Sequence, residues 1–392
     1  MICIFSPAGS LTGGTYRSLR SALGFPEEAY RLYMPQDVKQ NLTREITTYL
    51  GPHSVLLNIV KKAIETEPLS QCAGNRDCYV KYGKKLAKKL GKDGCDFVYI
   101  PHEHPYIPAG FPRQFRWTML LQVTPVVGSL SVEEGRGFIL YWKNVRGVNR
   151  MPIVKALRGY LRLLSYKKLL ERNKTLAVSK SIPYELQLLG VRGDIVVLNP
   201  GVGVDPCPVA NVPERRYDLV FFARITPEKG IYDFLQAVKK LQRIKPGLKA
   251  LAMGFAAREE AIRVTEVAKR LGVDIEFRFN VERGEALAYL AQSKVMVYPT
   301  KADAFPLVVL ESLSCGTPVV AYSIPAIRLN FNTEAVVRVR PGNFDEVVSA
   351  TLATLENFDA LSRIGRNFVA NFTWDNVSAD EWAKVEAIQK ES

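Results

Sequence analysis

The sequence lacks a long uninterrupted hydrophobic segment. Its longest apolar stretches, 117–127 and 306–320, are broken by Gln, Pro, Glu or Gly well short of the roughly 20 residues that a helix needs to cross a bilayer. Met1 leads directly into a short apolar strand, with no basic segment followed by a long apolar one that would direct export. We therefore expect a cytoplasmic protein without a membrane-spanning helix.

Residues that bind metals are few. The chain has three histidines and six cysteines, and the cysteines form no CxxC pair and have no histidine at zinc-finger spacing. We expect no metal site, and we expect most cysteines to be reduced thiols of the core. Cys72 and Cys78 flank a polar loop, so a disulfide between them stays open. The six are Cys3, Cys72, Cys78, Cys95, Cys207 and Cys315.

Acidic residues are in the minority, at 39 against 53 Lys and Arg, for a formal net charge of +14. This balance favours an anionic partner, which a nucleotide diphosphate, an anionic membrane or a nucleic acid would each provide. The chain shows no recognisable RNA- or DNA-binding motif, so we expect no nucleic acid. Its 392 residues are about enough for two domains.

Strand and helix patterns alternate along both halves of the chain. In the C-terminal half we predict strands at 218–223, 249–253, 274–279, 294–298 and 319–321, with helices between them. In the N-terminal half we predict strands at 2–5, 30–33, 97–100, 119–123 and 175–178, and a helix at 18–23 after a loop that holds Gly9, Gly13 and Gly14. Such alternation is typical of α/β domains with doubly wound parallel sheets. The segment 207–216 is the predicted linker.

Two carboxylates eight residues apart are the strongest chemical signal. Asp303 lies in a predicted loop and Glu311 on the helix that follows, with Pro306 in its first turn. The free N–H groups of Leu307 and Val308 and the helix dipole favour a phosphate there. Since carboxylates accept hydrogen bonds from hydroxyls, Asp303 suits a sugar and Glu311 a ribose.

Two cations form a second signal, Arg224 and Lys229, at the end of the first strand of the C-terminal half. Ligands of open α/β sheets bind beyond the carboxyl ends of strands, so both should face the same crevice as the helix start. There they would stabilise a departing diphosphate without a metal.

These motifs resemble glycosyltransferase family 4, a family of retaining enzymes with two Rossmann-like domains that face each other across a cleft, the GT-B fold. The resemblance rests on Arg224, Lys229, Gly230, Asp303, Glu311, Gly316 and Pro318 in this order. It implies an acceptor domain at 1–205, joined by a final helix at 374–392 that crosses back, and a nucleotide-sugar domain at 206–373. The first acid is usually Glu in the family, and here it is Asp303.

The resemblance also implies roles for further residues. His102 would contact the donor sugar, and the loop with Gly13 and Gly14 would approach the phosphate or the acceptor. Phe305 belongs to the same nucleotide-binding motif as Leu307 and Val308. His104 lies two residues after His102, and such pairs can also bind metal or cap a turn.

The segment 146–174 reads as a basic amphipathic helix. It interleaves Lys and Arg with Leu157, Tyr160, Leu161, Leu164, Leu169 and Leu170. One interpretation is a solvated helix that packs on the sheet, and the other is peripheral docking on an anionic membrane that presents a lipid-linked acceptor.

The sequence as a whole predicts a metal-independent hexosyltransferase that moves sugar from a UDP- or GDP-sugar to a glycan or lipid-linked acceptor. A catalytically idle nucleotide-sugar or glycan-binding subunit and a nucleotide-sugar 2-epimerase remain as alternatives.

Overall fold

The computed structural model describes residues 1–72, 74–104, 106–125, 129–149, 153–208 and 215–391, and for 146–149 it describes the backbone alone. The chain forms two compact units. One contains 1–128, 132–203 and 374–392, and the other contains 129–131 and 204–373. Most of the predicted linker, 209–214, lies outside the described residues. In the described part of the chain no helix is long and apolar enough to cross a bilayer.

The first unit contains a seven-stranded parallel sheet in the order β3-β2-β1-β4-β5-β6-β7. The strands are β1 (Ile2–Phe5), β2 (Tyr30–Pro35), β3 (Ile64–Thr66), β4 (Phe97–Ile100), β5 (Arg116–Leu121), β6 (Thr175–Ala177) and β7 (Ile195–Val197). Its central strands are buried along their whole length, because helices cover both faces of a parallel sheet of this kind. The helices are α1 (Gly13–Ala22), α2 (Gln36–Leu50), α3 (Val55–Lys62), α4 (Arg76–Lys92), α5 (Gly137–Asn149), α6 (Ile153–Leu170), α7 (Ser181–Leu188) and, from the end of the chain, α15 (Trp374–Glu391).

The final helix is tied to the first unit by a buried ion pair. Arg17 of α1 lies 2.5 Å from Glu381 of α15, and both side chains are almost inaccessible to solvent. Ser21 donates a hydrogen bond to the same carboxylate at 2.7 Å, and the Tyr99 hydroxyl donates to its other oxygen. Separation of α15 from the unit would leave Arg17 and Glu381 without a partner charge. The ion pair therefore holds α15 on the first unit.

The second unit contains a six-stranded parallel sheet in the order β10-β9-β8-β11-β12-β13. The strands are β8 (Tyr217–Phe222), β9 (Ala250–Gly254), β10 (Ile275–Phe279), β11 (Ser293–Tyr298), β12 (Val319–Tyr322) and β13 (Val336–Val339). The helices are α8 (Ile231–Ile244), α9 (Arg258–Leu271), α10 (Arg283–Ala291), α11 (Leu307–Ser314), α12 (Pro325–Asn330), α13 (Phe344–Glu356) and α14 (Phe358–Val369). From β8 the strands continue to one side as β9 and β10, and to the other side as β11, β12 and β13. Open α/β sheets bind ligands at such a point, here between β8 and β11.

The predicted start of α1 is wrong. Gly13 and Gly14 are the first two residues of the helix and not part of a loop, because the Thr12 side chain caps it by accepting a hydrogen bond from the Thr15 N–H at 3.3 Å. In the same way α11 begins at Leu307, with Pro306 as the residue before its first turn.

The predicted single basic helix is two helices, α5 and α6. Arg150 lies outside the described residues, as does the side chain of Arg146. Arg172 and Lys174 follow the end of α6.

The expectation of reduced cysteines is also wrong. All six are paired, as Cys3–Cys95, Cys72–Cys78 and Cys207–Cys315, with Cα–Cα distances of 5.8, 5.2 and 5.0 Å. Two of these pairs join residues about a hundred positions apart, which only the fold brings together. The first pair, for example, joins β1 to the residues before β4, its neighbour in the sheet.

Candidate functional site

Gly230 brings two loops of the second unit together. Its φ is +83°, and a Cβ at this position would lie 2.0 Å from the carbonyl oxygen of Pro299, the residue after β11. Only glycine permits both the left-handed backbone and this close approach. The loop after β8 therefore lies directly against the loop after β11, and the Lys301 N–H donates to the Glu228 carbonyl at 2.9 Å.

Lys229 uses this proximity to contact Asp303. Its Nζ lies 2.7 Å from Oδ2 of Asp303 and 3.0 Å from the Ala302 carbonyl oxygen. The side chains of both residues of the pair are mostly buried, with 11% and 18% of their surface exposed. The sequence placed these two groups at one site, and the structure brings them into direct contact.

Asp303 is held by two further groups. The Tyr298 hydroxyl donates to Oδ2 at 2.7 Å, and the Ala304 N–H donates to Oδ1 at 2.8 Å. Burial and the neighbouring Asp303 charge raise the pKa of Tyr298 well above its usual value, so this hydroxyl stays protonated as a donor. A carboxylate has about four acceptor positions. Three are used here, which leaves the carboxylate fixed in place with capacity for another donor.

Arg224 extends toward solvent from the end of β8. Its side chain is exposed, and its charge acts on Tyr298 by lowering the pKa of that hydroxyl against the larger effect of burial. The cation therefore lies near the pair formed by Lys229 and Asp303. It is accessible to a ligand that enters from solvent.

The start of α11 lies immediately after Asp303. Leu307 and Val308 form its first turn and are half-buried, and the Val309 N–H donates to the Pro306 carbonyl at 3.0 Å. Phe305 packs against Phe331 with 5.4 Å between the ring centroids. The contact of Phe305 with Phe331 thus anchors the helix start. The free N–H groups of the first turn lie at the positive end of the helix dipole, which favours an anion there.

Glu311 is buried in the middle of α11 beside a cation that sequence reasoning missed. Arg283, the first residue of α10, lies 2.5 Å from a carboxylate oxygen of Glu311 and 3.5 Å from Asp205. Burial raises the pKa of Glu311, Arg283 opposes this shift, and Asp205 adds to it. No sequence signal indicated Arg283, because this residue lies 28 positions before Glu311 and no motif connects the two.

The remaining predicted residues lie in the first unit. Gly13 has open space around it, whereas a Cβ on Gly14 would lie 2.3 Å from Oε1 of Gln122. Gly14 therefore has a packing reason to be glycine, which the motif alone did not reveal. Gln122 follows β5 directly and is the second residue that sequence reasoning missed.

His102 and His104 follow β4 and have different surroundings. Nδ1 of His104 accepts from the N–H groups of Tyr106 and Ile107 at 3.4 and 3.2 Å, so this ring caps a turn. Nδ1 of His102 lies 3.3 Å from the amide nitrogen of Gln122. Burial, together with the Arg17 charge, lowers the pKa of His102 to about 3, so its ring is neutral.

Glu103 lies between the two histidines. Its Oε2 accepts from the Gln122 N–H at 2.9 Å. Burial raises the pKa of this carboxyl to about 7, against backbone hydrogen bonds that lower it. The group therefore changes its charge near neutral pH.

Comparison with known proteins gives a family match for the second unit. Residues 208–367 match the family described as glycosyl transferases, group 1. A D-inositol 3-phosphate glycosyltransferase of Segniliparus rotundus is 29% identical over 194 residues, which are 47% of this chain and 41% of that protein. A glycogen synthase of Mycobacterium tuberculosis is 24% identical over 192 residues, 47% of this chain and 46% of the relative. The chain spans less than half the length of each of these relatives.

Solved structures match both units. Sucrose-phosphate synthase from Thermosynechococcus elongatus has a TM-score of 0.71 at 18% identity over the whole of both chains. HepE from Anabaena, solved in complex with UDP, has a TM-score of 0.69 at 15% identity over 98% of this chain and 99% of that one. At such identities the likeness shows the fold, and it confirms the predicted pair of Rossmann-like domains. Residues 208–367 match the model of the group 1 glycosyltransferases, and the chain has the two Rossmann-like domains of the GT-B fold.

Proposed function

We propose that this protein transfers a hexose from a nucleotide diphosphate sugar, a UDP- or GDP-sugar, to an acceptor hydroxyl with retention of configuration. The observation that carries the proposal is the contact of Lys229 with Asp303 at the start of α11, with Arg224 beside it. Cations at a helix start favour a diphosphate, and a fixed carboxylate next to them favours the sugar that the diphosphate carries.

The second carboxylate supports the same arrangement. Glu311 lies about one turn beyond Leu307, the first residue of α11, which is a rise of about 6 Å at about 1.5 Å per residue. This distance is comparable to the span from the sugar across the diphosphate to the ribose. Its carboxylate, held by Arg283, would accept hydrogen bonds from the two ribose hydroxyls. One acid would thus bind each end of the donor.

The chemical step follows from these positions. The bond between the anomeric carbon and the phosphate oxygen breaks, and a bond from that carbon to the acceptor oxygen forms. Lys229 and Arg224 stabilise the negative charge that grows on the leaving diphosphate, without a metal. The leaving phosphate oxygen takes the proton of the acceptor hydroxyl. We assign no protein nucleophile, and Asp303 positions the sugar.

The acceptor is a glycan or a lipid-linked sugar in this proposal, with the first unit as its binding domain. His102 would contact the donor sugar, and Gly13 and Gly14 at the start of α1 would lie close to the phosphate or the acceptor. A 2-epimerase on the same fold would need several acid and base groups, and two of the three histidines do not fit this need. His53 is exposed on a loop, and His104 caps a turn.

Helix α6 favours peripheral contact with an anionic membrane. Its first three turns expose apolar side chains, Ile153, Val154, Leu157 and Leu161, with 48% to 60% of each accessible. The cations Lys155, Arg158 and Arg162 are exposed next to them. The buried side of α6 packs against the rest of the first unit. It consists of Ala156, Leu163, Tyr166 and Leu170. An apolar stripe flanked by cations is what an anionic lipid surface binds.

Two experiments test the proposed function. Thermal shifts against UDP-, GDP- and ADP-sugars identify the donor, because a ligand that binds the folded state raises the unfolding temperature. Release of the nucleoside diphosphate that depends on a glycan or lipid-linked acceptor then separates a transferase from an idle binding subunit. A donor that binds without acceptor-dependent release would contradict transfer.

Vesicle sedimentation tests the membrane contact. We expect binding to vesicles that contain phosphatidylglycerol and not to pure phosphatidylcholine, and loss of binding in the triple variant Ile153→Ser, Leu157→Ser, Leu161→Ser. The matched control is Ile244→Ser with Ile262→Ser, which changes similarly exposed residues of the other unit. Equal binding of the triple variant and the control would contradict a membrane role for α6.

A further inference from the structure

Asp205 and Glu311 share one cation of the second unit. Two nitrogens of the Arg283 guanidinium face different carboxylates, Nη1 at 2.5 Å from Oε1 of Glu311 and Nη2 at 3.5 Å from Oδ2 of Asp205. Glu311 is buried, whereas 29% of the Arg283 side chain and 26% of the Asp205 side chain are exposed. The guanidinium is planar, so a carboxylate on each of two nitrogens fixes its rotation. Asp205 is therefore placed to orient the cation that holds Glu311.

A disulfide fastens the segment that carries Asp205 to the end of α11. Cys207 follows Asp205 by two residues and is bonded to Cys315, with 5.0 Å between the Cα atoms. Cys315 lies directly after α11, and its N–H donates to the Glu311 carbonyl at 3.1 Å. The Ser314 hydroxyl donates to the Asp205 carbonyl at 3.4 Å. The covalent bond thus joins the segment to the helix turn that bears Glu311.

The disulfide also contacts α10, the helix that begins with Arg283. The carbonyl oxygen of Leu287 lies 4.0 Å from Sγ of Cys207 and 3.5 Å from Sγ of Cys315. Leu287 follows Arg283 by four residues, about one helical turn. The bond therefore lies where α10, α11 and the segment 205–207 meet.

The segment depends on this bond because it has no regular structure. Residues 205–208 belong to no helix or strand, and each is at least partly exposed. A chain segment of this kind opens locally at a low cost in free energy unless it is tied down. The bond is also open to attack, since Cys207 is partly exposed while Cys315 is buried. The Cys3–Cys95 pair, in contrast, has both members buried.

We propose that Asp205 is a positioning residue for the nucleotide site, that the Cys207–Cys315 disulfide holds it in place, and that reduction of this disulfide weakens the binding of a nucleoside diphosphate. The effect on binding rests on the proposed function, in which Glu311 accepts hydrogen bonds from the ribose hydroxyls. The dependence of the segment 205–207 on the disulfide does not rest on it.

The redox step is a thiol–disulfide exchange. A thiolate of a dithiol reagent attacks Sγ of Cys207, the bond between the two protein sulfurs breaks, and Cys315 leaves as a thiolate that takes up a proton. The second thiol of the reagent then displaces Cys207 as a thiol. The reagent is thereby oxidised to a disulfide by two electrons, and the protein pair is reduced.

The charge of Asp205 gives its role a pH signature. Burial raises the pKa of Glu311, the Arg283 charge lowers it, and the Asp205 charge raises it further. Helix α14 also packs on α11, and it places Arg366 beside Gly316, beyond the end of α11. Loss of the Asp205 charge should therefore lower the pKa of Glu311, so that this carboxylate stays ionised to lower pH.

Two variants of Asp205 separate positioning from general disruption. Asp205→Ala removes the second partner of Arg283, so we expect about 10-fold weaker binding of UDP or GDP, the size of one contact to a charged group. Asp205→Asn keeps an acceptor oxygen and should recover part of this affinity. In both variants the pH at which binding is half lost should be lower than in the wild type. Wild-type affinity in Asp205→Ala, or a loss without this shift, would overturn the role of Asp205.

The disulfide is tested first without any nucleotide. Treatment of the full chain with dithiothreitol, followed by alkylation and peptide mass spectrometry, identifies the bonds that open. We expect Cys207–Cys315 to open before Cys3–Cys95, and amide hydrogen exchange of residues 204–208 to become faster when it does. Exchange that is equal in the oxidised and reduced chains would show that the disulfide does not hold this segment.

Binding of UDP and GDP then measures the effect on the nucleotide site. We expect the reduced chain to bind about 10-fold more weakly than the oxidised chain, as Asp205→Ala does. Cys207→Ala with Cys315→Ala should bind as weakly as the reduced wild type and should not respond to dithiothreitol. The matched control, Cys72→Ala with Cys78→Ala, lacks a disulfide of the first unit and should respond like the wild type.

The possible failures have different results. Equal affinity in the oxidised and reduced wild type would refute the redox effect. An oxidised wild type that binds neither UDP nor GDP would refute the proposed function instead, and the hydrogen exchange of residues 204–208 would still decide whether the disulfide holds the segment that carries Asp205.

Discussion

The ammonium group of Lys229 lies 2.7 Å from Oδ2 of Asp303, on the carboxylate that also accepts the Tyr298 hydroxyl. In the proposed function, the cation that would bind the diphosphate is therefore held by the acid that would bind the sugar. An entering diphosphate would offer Lys229 a second anion without requiring a large movement of the side chain. The pair thus keeps both groups in position in the free protein, which is the form of preorganisation that stabilises developing charge.

This geometry predicts a large catalytic effect at Lys229. Lys229→Met should lower kcat by about 10²- to 10³-fold, the range for loss of one preorganised group that stabilises transition-state charge. Initial rates of nucleoside diphosphate release measure it. Lys301→Met is the matched control, since the Lys301 N–H donates to the Glu228 carbonyl next to Lys229, and its side chain is exposed and paired with Asp233. Comparable losses in both variants would show that general surface charge is responsible.

Arg283 should control the affinity for the nucleotide. Arg283→Met removes the cation that opposes the burial of Glu311, so the pKa of Glu311 should rise further and less of it should be ionised at a given pH. We expect about 10- to 100-fold weaker nucleoside diphosphate binding, with the loss larger at lower pH. Calorimetric titration at several pH values measures this. Arg278→Met, on a neighbouring strand and paired with Glu276, should bind like the wild type. A loss independent of pH would contradict this account.

The raised pKa of Glu103 makes the free energy of unfolding depend on pH. Its folded pKa of about 7 lies above the unfolded value of about 4.3, so the folded state binds more protons between these values and stability falls as pH rises through this window. The full shift corresponds to about 4 kcal/mol, and because the side chain of Glu103 is half-buried we expect about 1–2 kcal/mol.

Glu103→Gln should remove this contribution. Denaturant unfolding should give a free energy of unfolding that exceeds the wild-type value at pH 8 and approaches it near pH 4.5, because the amide oxygen still accepts the Gln122 N–H. A difference of the same size at both pH values would argue against titration of Glu103.

Local patterns were enough to predict much of the second unit. The strand and helix order was clear, and Arg224, Lys229, Asp303 and Glu311 stand in motifs of fixed spacing. The partners of these residues were not predictable in the same way. Arg283 reaches Glu311 from another helix, and no spacing rule connects the two.

The first unit was harder to predict for a related reason. Helices α2 and α3 were not predicted, although Val38, Leu42 and Ile46 of α2 are buried and spaced four apart, as residues on one face of a helix are. The start of α1 was misplaced because two glycines usually indicate a loop, whereas here Thr12 caps the helix and Gly14 makes room for Gln122. The disulfides and the ion pair of Arg17 with Glu381 depend on pairings far apart in the chain.

The central claim is that Asp303 and Glu311 bind opposite ends of one donor. Calorimetric titration of the variants Asp303→Asn and Glu311→Gln, each with the nucleoside diphosphate and with the nucleotide sugar that the thermal screen selects, tests it most directly. The account predicts that Glu311→Gln weakens both ligands about 10-fold or more, whereas Asp303→Asn weakens the nucleotide sugar alone. Equal weakening of both ligands by both variants would contradict the division of roles.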